Sequence, residues 1–290
     1  MLTIHLSLVA KESRKVEERL VSELQTDVSL RVENTESPDK WVVSGRGELH
    51  LSILIETMRR EGYELQVSRP EVIIKEIDGV ACEPFERVQI DTPEEYQGSI
   101  IQALSERKGD MLDMQITGNG QARLIFLVPA RGLIGFTTEF MSMTRGYGIM
   151  NHTFDQYLPA VKGEIGGRHR GSLISMDSGQ VTSYAMGYVQ ERGQLFVDAG
   201  TEVYGGMIVG EHSRDNDLTV NITKMKQQTN VRSSNKDSTS VLNTPKILSL
   251  EESLEFLGDD DYLEVTPESI RLRKQILDKA MREKSTKKKK

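Results

Sequence analysis

The stretch V-S-G-R-G-E-L-H-L, residues 43–51, ends a predicted strand and opens a predicted helix. Its two glycines interrupt the strand. Beyond them, apolar residues recur at the i, i+3, i+4, i+7 spacing of one helical face, at Leu51, Leu54, Ile55 and Met58. Gly62 then supplies the residue type that most often ends a helix. The sequence therefore predicts a strand at 41–44, this helix, and a closing strand at 63–67.

This strand–helix–strand run completes a longer pattern of elements that occurs twice. In the first occurrence, residues 3–9 predict a strand, and Ser13 is placed to cap a helix with an apolar face. In the second occurrence, Gly118-Asn119-Gly120 indicates a hairpin, because these residues tolerate positive φ angles. We therefore predict an α+β fold that begins with two tandem ferredoxin-like βαββαβ domains, at 1–70 and 71–160.

Residues 161–290 differ in character, because short apolar runs alternate there with Gly-rich turns. We interpret these runs as the strands of a small β-barrel-like domain, at 172–176, 181–189, 195–197, 201–204, 208–211 and 218–222. Two helices are predicted to end the chain. Ser249 opens a capping box, and Thr266-Pro267 begins a last helix that carries Ile270, Ile276, Leu277 and Met281.

The composition bounds the class of protein. Hydrophobic residues make up 37% of the chain and charged residues 28%, as in ordinary globular domains. No apolar run approaches the roughly 18 residues that a membrane helix needs, so we expect no membrane contact. Cys82 is the single cysteine, which excludes an internal disulfide and fits a reducing compartment. We expect a cytoplasmic monomer.

Charge is segregated along the chain. The formal net charge of −7 by itself argues against a nucleic-acid partner. However, residues 271–290 contain ten Lys/Arg and two Asp/Glu, and residues 223–246 contain five Lys/Arg and one Asp. Residues 251–264, which lie between them, contain seven acidic residues and no basic one. The mean charge thus conceals two basic segments that are able to meet phosphate.

Motifs of catalysis are absent from the sequence. It has no G-x-x-x-x-G-K-[ST] phosphate loop, and Asn235-Lys236-Asp237-Ser238 fails the guanine-reading N-K-x-D pattern at Ser238. The run H-S-R-D-N-D, residues 212–217, does not match a calcium loop and is interpreted as a turn. We expect no catalytic residue, no GTP-binding residue, no metal and no cofactor in this chain.

The polar run at 223–240 is the first candidate RNA-binding segment. It has four Lys/Arg, many amides and hydroxyls, and little to bury. These side chains suit phosphate, 2′-OH groups and base edges; the candidates are Lys224, Lys226, Gln227, Gln228, Thr229, Asn230, Arg232 and Lys236. The alternative is that this run is a solvated loop with no RNA-binding role.

Further basic residues form a second group of candidates. On the predicted last helix they are Arg271, Arg273 and Lys274. The alternative for these three is that they complement the helix dipole. Secondary candidates are Arg131, Arg168, Arg170 and Arg214.

Several stretches resemble the C-terminal half of the BipA/TypA family of ribosome-associated translational GTPases. They are R-K-V-E-E-R-L (14–20), the run that begins V-S-G-R-G-E-L-H-L (43–51), P-A-R-G-L-I-G-F (129–136), G-E-H-S-R-D-N-D-L (210–218), K-M-K-Q-Q-T-N-V-R-S (224–233) and V-T-P-E-S-I-R-L-R-K (265–274). The last three are specific to the family. The resemblance covers nearly the whole chain, and departs from the family in L-S-L-V-A-K-E-S-R (6–14).

The resemblance implies domains of the elongation-factor III and V types followed by a family-specific RNA-binding domain at 161–290. It implies a ribosomal partner, namely large-subunit rRNA and the acceptor end of A-site tRNA, with a role in translation and large-subunit assembly under stress. GTP and Mg²⁺ would belong to another domain of the parent GTPase. Two alternatives stand beside this: a stand-alone RNA-binding adaptor for ribosome assembly without GTPase activity, favoured by Met1, and an unrecognised hydrolase built on residues 212–217.

Overall fold

The computed structural model describes residues 4–10, 12–163, 165, 168, 170–225 and 242–289. These residues form two compact units. The first unit contains the described residues before Arg168, with Leu250–Phe256 and Val265–Glu268, and the second contains the remainder. No helix in the described ranges is long and apolar enough to cross a membrane.

The first unit begins with six elements in the order βαββαβ. They are β1 (Ile4–Val9), α1 (Ser13–Thr26), β2 (Arg31–Asn34), β3 (Lys40–Gly45), α2 (Glu48–Arg60) and β4 (Leu65–Val67). The strands lie in the order β4-β1-β3-β2, and each neighbouring pair is antiparallel. This is the strand order of a ferredoxin-like fold, so that prediction is confirmed. Ser13, however, is the first helical residue, and the N-cap position is Glu12, whose side chain makes no capping hydrogen bond.

Helix α2 forms as its spacing predicts. Leu51, Leu54, Ile55 and Met58 are all buried, together with Ser52. The backbone of Gly62 has a φ of +96°, which a residue with a side chain rarely adopts. Its N–H donates to Arg59 O, and the next N–H, of Tyr63, donates to Met58 O, which ends the helix.

The second βαββαβ set follows in the same unit. Its elements are β5 (Glu71–Val72), β6 (Lys75–Ile77), β7 (Val80–Pro93), α3 (Gln97–Glu106), β8 (Asp110–Thr117), β9 (Gln121–Pro129), α4 (Ala130–Leu133), α5 (Phe136–Met143) and β10 (Ile149–Pro159). The sheet has the order β10-β7-β9-β8, with β6 paired to β7, and β5 pairs with β1. One face of the sheet packs against the helices through Val88, Leu124, Phe126 and Phe136, among others. Gly120 turns the predicted hairpin with a φ of +71°.

The remaining elements lie after Pro159. They are β11 (Ser172–Ser175), β12 (Gly179–Gln180), α6 (Ser183–Val189), β13 (Gly193–Leu195), β14 (Glu202–Val203), β15 (Ile208–His212), β16 (Leu218–Val220), α7 (Leu250–Phe256), β17 (Asp261–Val265), β18 (Ile270–Lys274) and α8 (Lys279–Lys289). Helix α7 packs on α2 in the first unit. The others form the second unit around a core of Leu173, Val197, Val209 and Ile222.

The predicted barrel is not closed. Among the described residues, β13-β15-β11-β16 make an open sheet, and β12 with β14 makes a separate two-stranded pair. β16 runs parallel to β11, whereas the other pairs in the sheet are antiparallel. Part of the apolar sequence that was expected to supply a strand forms α6 instead, so the strands available do not complete a ring.

Two predicted elements are wrong in type. The strand predicted at 181–189 is mostly helix α6, because Thr182 caps a turn whose buried residues, Ala185, Met186 and Val189, share a helical face. The helix predicted from Thr266 is instead strand β18 followed by α8. In β18, Leu272 and Lys274 are buried while Arg273 between them is not, which is the period of a strand.

Candidate nucleic-acid interface

Two described residues contact α6 near the polar run, Lys224 within the run and Asn243 just after it. The Thr182 hydroxyl donates to the backbone oxygen of Lys224 at 2.5 Å, and Gln190 Oε1 accepts from the backbone N–H of Asn243 at 2.9 Å. The side chain of Lys224 is exposed, as is Met225. The other candidates of this run lie outside the described residues: Lys226, Gln227, Gln228, Thr229, Asn230, Arg232 and Lys236.

Lys274 is not a surface residue. Its side chain is 1% exposed, and Nζ lies 2.6 Å from Asp217, 2.8 Å from Asp261 and 3.0 Å from Asp260. Burial alone would lower the pKa of Lys274, but the carboxylates of Asp261 and Asp217 hold the pKa above its ordinary value. This burial argues against the predicted contact of Lys274 with RNA, because its charge is already neutralised inside the fold.

Two of the secondary candidates are also committed to internal ion pairs. Arg168 lies 3.1 Å from Asp261, which is fully buried, and 3.6 Å from Asp217. Arg131 donates to both carboxylate oxygens of the buried Glu83, and also to the backbone oxygens of Gly163 and Val161. Their guanidinium groups fix chain segments to one another, so neither is available for phosphate in this conformation.

Four further basic candidates in the described part of the chain remain accessible. Arg271 and Arg273 are half-buried on β18, where Arg273 donates to the backbone oxygens of Lys274 and Gln275. Arg170 is exposed and lies 3.8 Å from Glu211, and Arg214 is exposed. All four belong to the second unit.

A pocket of about 550 Å³ lies beside the start of α8. It combines cationic, acidic, hydroxyl and apolar groups, namely Lys279 and Arg282, Asp278, Ser175, Ser178, Thr219 and Tyr204, and Met176 and Leu277. Tyr204 donates to Glu264 at 2.6 Å, and burial, followed by that carboxylate, raises the pKa of the phenol. Ser175 and Ser178 are close in sequence, but Thr219 and Tyr204 come from other segments, so the sequence did not predict that these hydroxyls would meet.

Residues 212–217 form a closed turn. His212 is buried, and its Nδ1 lies 2.6 Å from the backbone oxygen of Asn216. Asp217 accepts from the backbone N–H of Ser172 at 2.7 Å and pairs with Lys274. These contacts are internal, in keeping with the interpretation as a turn. Within the described ranges, no group of three His, Cys, Asp or Glu side chains is placed to hold a metal ion.

In the G-E-L-H-L run, Glu48 lies in a carboxylate cluster. The backbone N–H of Gly135 donates to Glu48, and Glu251 and Glu255 of α7 lie close to it. Burial, and then the charge of Glu255, raises the pKa of Glu48 to about 7. His50 Nε2 lies 2.5 Å from Asp27, and its Nδ1 accepts from the backbone N–H of Arg46. Both side chains therefore tie α2 to its surroundings.

Comparison with known protein families shows which proteins this chain is similar to. The pattern described as TypA/BipA C-terminal domain matches residues 170–279, elongation factor G domain III matches 4–69, and the elongation factor G C-terminus matches 80–165. The protein named large ribosomal subunit assembly factor BipA from Bacillus subtilis (strain 168) is 68% identical over 278 residues. The chain belongs to the BipA/TypA family. The match to the Bacillus subtilis protein covers 96% of this chain and 45% of that protein.

Other BipA proteins give the same picture. The relative from Haemophilus influenzae is 54% identical across 91% of this chain and 43% of its own length. The one from Synechocystis sp. is 50% identical across 90% of this chain and 44% of its own length. Both carry the same name, large ribosomal subunit assembly factor BipA. The chain thus spans less than half the length of these BipA relatives and corresponds to their C-terminal half.

Proposed function

We propose that this chain is the ribosome-binding portion of a BipA/TypA translational GTPase. It contacts large-subunit rRNA and the acceptor end of A-site tRNA, and it acts in the cytoplasm in translation and in large-subunit assembly under stress. GTP and Mg²⁺ are held by another domain of the parent. The match of residues 170–279 to the TypA/BipA C-terminal domain carries this proposal, because that span contains both the polar run and β18. The relatives' shared name supports the choice of the large subunit.

Within this proposal, the domains divide the work. Domains 1–70 and 71–160 act as rigid spacers, and domain 161–290 reads the RNA. The phosphate contacts come from the polar run, with Arg271, Arg273, Arg170 and Arg214 as flanking contacts. Lys274 and Arg168 support this surface from within through their ion pairs.

Co-sedimentation with purified 50S and 70S particles tests the proposal. The triple variant Lys224→Ala/Lys226→Ala/Arg232→Ala is expected to weaken binding, because it removes three cations from the polar run. The matched control is Arg14→Ala/Arg31→Ala/Arg60→Ala, which removes three exposed cations from the first unit and should bind as the wild type does. Equal binding by both triple variants, with unchanged melting temperatures, would contradict the proposal.

A second measurement tests whether this chain binds a guanine nucleotide. Because the sequence has neither phosphate loop nor N-K-x-D, a fluorescent GTP analogue should not bind this chain in a titration. Saturable binding would show that the chain holds a nucleotide site of its own, and would contradict the assignment of GTP to another domain.

A further inference from the structure

Strand β8 (Asp110–Thr117) forms one edge of the second ferredoxin-like sheet. It is the last strand in the order β10-β7-β9-β8, so among the described strands it pairs only with β9. All of its residues are exposed. The N–H of Met114 donates to the carboxylate of Asp113 at 2.8 Å, a local bond that the carbonyl of an incoming strand can replace. An open edge of this length is a template for a further strand.

One side of β8 is apolar. Met111, Met114 and Ile116 lie opposite buried residues of β9, and directly opposite residues of two paired strands share a face of the sheet. These three side chains therefore extend the apolar face beneath the helices to the edge of the sheet, where they are 49%, 43% and 51% exposed. Leu112, at the register shift in β8, is 47% exposed. This row of large apolar side chains marks an interaction surface rather than a solvated edge.

The other side of β8 carries negative charge. Asp110 and Asp113 lie opposite the residues of β9 that alternate with the buried ones, and β8 contains no basic residue. Neither aspartate forms an ion pair with a described residue; Asp113 accepts only from the N–H of Met114 and from Gln115 Nε2. These charges repel an RNA backbone. They also disfavour a second copy of this chain, which would bring two aspartates from each strand to one ladder.

We propose that β8 is a docking edge for an extended, basic segment of another protein, which joins the sheet as a further strand. Its apolar residues cover Met114 and Ile116, and at alternate positions its Lys or Arg side chains meet Asp110 and Asp113. The backbone hydrogen bonds provide affinity, and the alternation of apolar and basic residues provides selectivity. The inference goes beyond the proposed function, because it gives the chain a protein partner at a domain other than the one proposed to read RNA.

Two hairpin peptides separate strand addition from charge attraction. Each is closed by a disulfide, and its outer strand alternates valine and lysine. In the second peptide, the outward N–H groups of that strand are N-methylated, so its charge is unchanged but it cannot donate to β8. In fluorescence anisotropy with the full chain, the N-methylated hairpin should bind at least about tenfold more weakly, because two or more hydrogen bonds are lost. A third hairpin, with glutamate in place of lysine, should not bind.

A charged pair of substitutions at the apolar side locates the binding site. Met114→Lys/Ile116→Lys should weaken binding of the unmethylated lysine hairpin by about tenfold or more, because it removes apolar contact area and adds like charges. The control is Val21→Lys/Ile53→Lys, which places the same charges at exposed apolar positions of α1 and α2 and should bind as wild type does.

A second pair of variants tests the charges and leaves the apolar side intact. Asp110→Asn/Asp113→Asn should weaken binding of the lysine hairpin, whereas Glu17→Gln/Glu36→Gln, which neutralises two exposed carboxylates elsewhere, should not. If Met114→Lys/Ile116→Lys does not fold, this pair decides the outcome.

Several outcomes would overturn the inference. Equal affinity for the methylated and unmethylated hairpins would mean that charge attraction alone is at work, and displacement of the hairpin by oligoadenylate would mean that the edge takes RNA. Absence of hairpin binding by the wild type would remove the docking edge altogether. A wild-type dimer in analytical ultracentrifugation that Met114→Lys/Ile116→Lys dissociates would identify a second copy of the chain as the occupant instead.

Discussion

Lys274 has a different role in the structure from the one that its local sequence predicts. In V-T-P-E-S-I-R-L-R-K it is one cation among three, and nothing local distinguishes it from Arg271 or Arg273. Its role is set by Asp217, Asp260 and Asp261, and one of these lies more than fifty residues away along the chain. Because local sequence cannot show which cation meets distant carboxylates, the candidate site was predictable as a basic region but not residue by residue.

Replacing Lys274 tests this internal role. Lys274→Met should lower the free energy of unfolding by about 3–5 kcal/mol, because it removes the cation 2.8 Å from the buried Asp261 and leaves Arg168 as the remaining cationic partner among the described residues. Chemical denaturation measures the change. The control is Lys279→Met, the same substitution at a lysine that is 54% exposed, where less than about 0.5 kcal/mol is expected. Equal effects of the two substitutions on the free energy of unfolding would show that the ion pairs of Lys274 stabilise the fold no more than an exposed lysine does.

Glu48 makes the stability of the first unit depend on pH. Its pKa is raised from an ordinary 4.5 to about 7, first by burial and then by Glu255. A carboxyl with a raised pKa stabilises the fold fully below pH 4.5, and that contribution is lost as pH rises through about 7. Glu48→Gln should therefore raise the free energy of unfolding at pH 8 by about 2–3 kcal/mol and change it little at pH 4.5.

Denaturation curves across this pH range provide the measurement. Glu255→Gln should move the wild-type transition to lower pH, since it removes the largest charge that acts on Glu48. An identical pH dependence in wild type and Glu48→Gln would mean that Glu48 is ionised without cost in the folded protein.

At the scale of elements, prediction succeeded where local pattern and tertiary packing agree. Helix α2 followed from four apolar residues at helical spacing and a terminal glycine, and both ferredoxin-like sheets followed from element order. It failed at α6 and β18, where short segments are ambiguous. S-Y-A-M-G-Y-V suits a strand by composition, but its buried residues fall on a helical face. I-R-L-R-K alternates like a strand, yet the preceding Thr-Pro favoured a helix start.

Thr182 caps α6 and also contacts the start of the polar run. Thr182→Ala should lower the free energy of unfolding by about 1–2 kcal/mol, because it removes an N-cap acceptor and the bond to Lys224 O. It should also weaken RNA binding, since one end of the polar run loses its anchor. Thr182→Ser retains the hydroxyl and serves as the control for both measurements. If Thr182→Ala and Thr182→Ser bind RNA equally, the anchor does not position the polar run.

For the whole molecule, the balance of charge decides how binding responds to salt. The chain has a net charge of −7, so its cationic segments attract RNA against a repulsive background. Each phosphate that is neutralised releases counterions, and log K should fall with log salt by roughly 0.7–0.9 per contact. Filter binding or anisotropy at several salt concentrations gives this slope directly.

The two basic segments should differ in what their removal does. Residues 285–290 contain four lysines beside Ser285 and Thr286. Deleting these residues should make log K depend less steeply on log salt and should slow association with RNA, without changing which RNA is preferred. Residues 224–240 also carry amides and hydroxyls, which read shape and base edges. Their deletion should abolish discrimination between ribosomes with an empty A site and those that hold a tRNA there. If both deletions lower affinity equally on every RNA, the polar run is only a second electrostatic tether. A segment that distinguishes RNAs must change the ratio of the affinities for two RNAs when it is deleted, and not only the magnitude of both affinities.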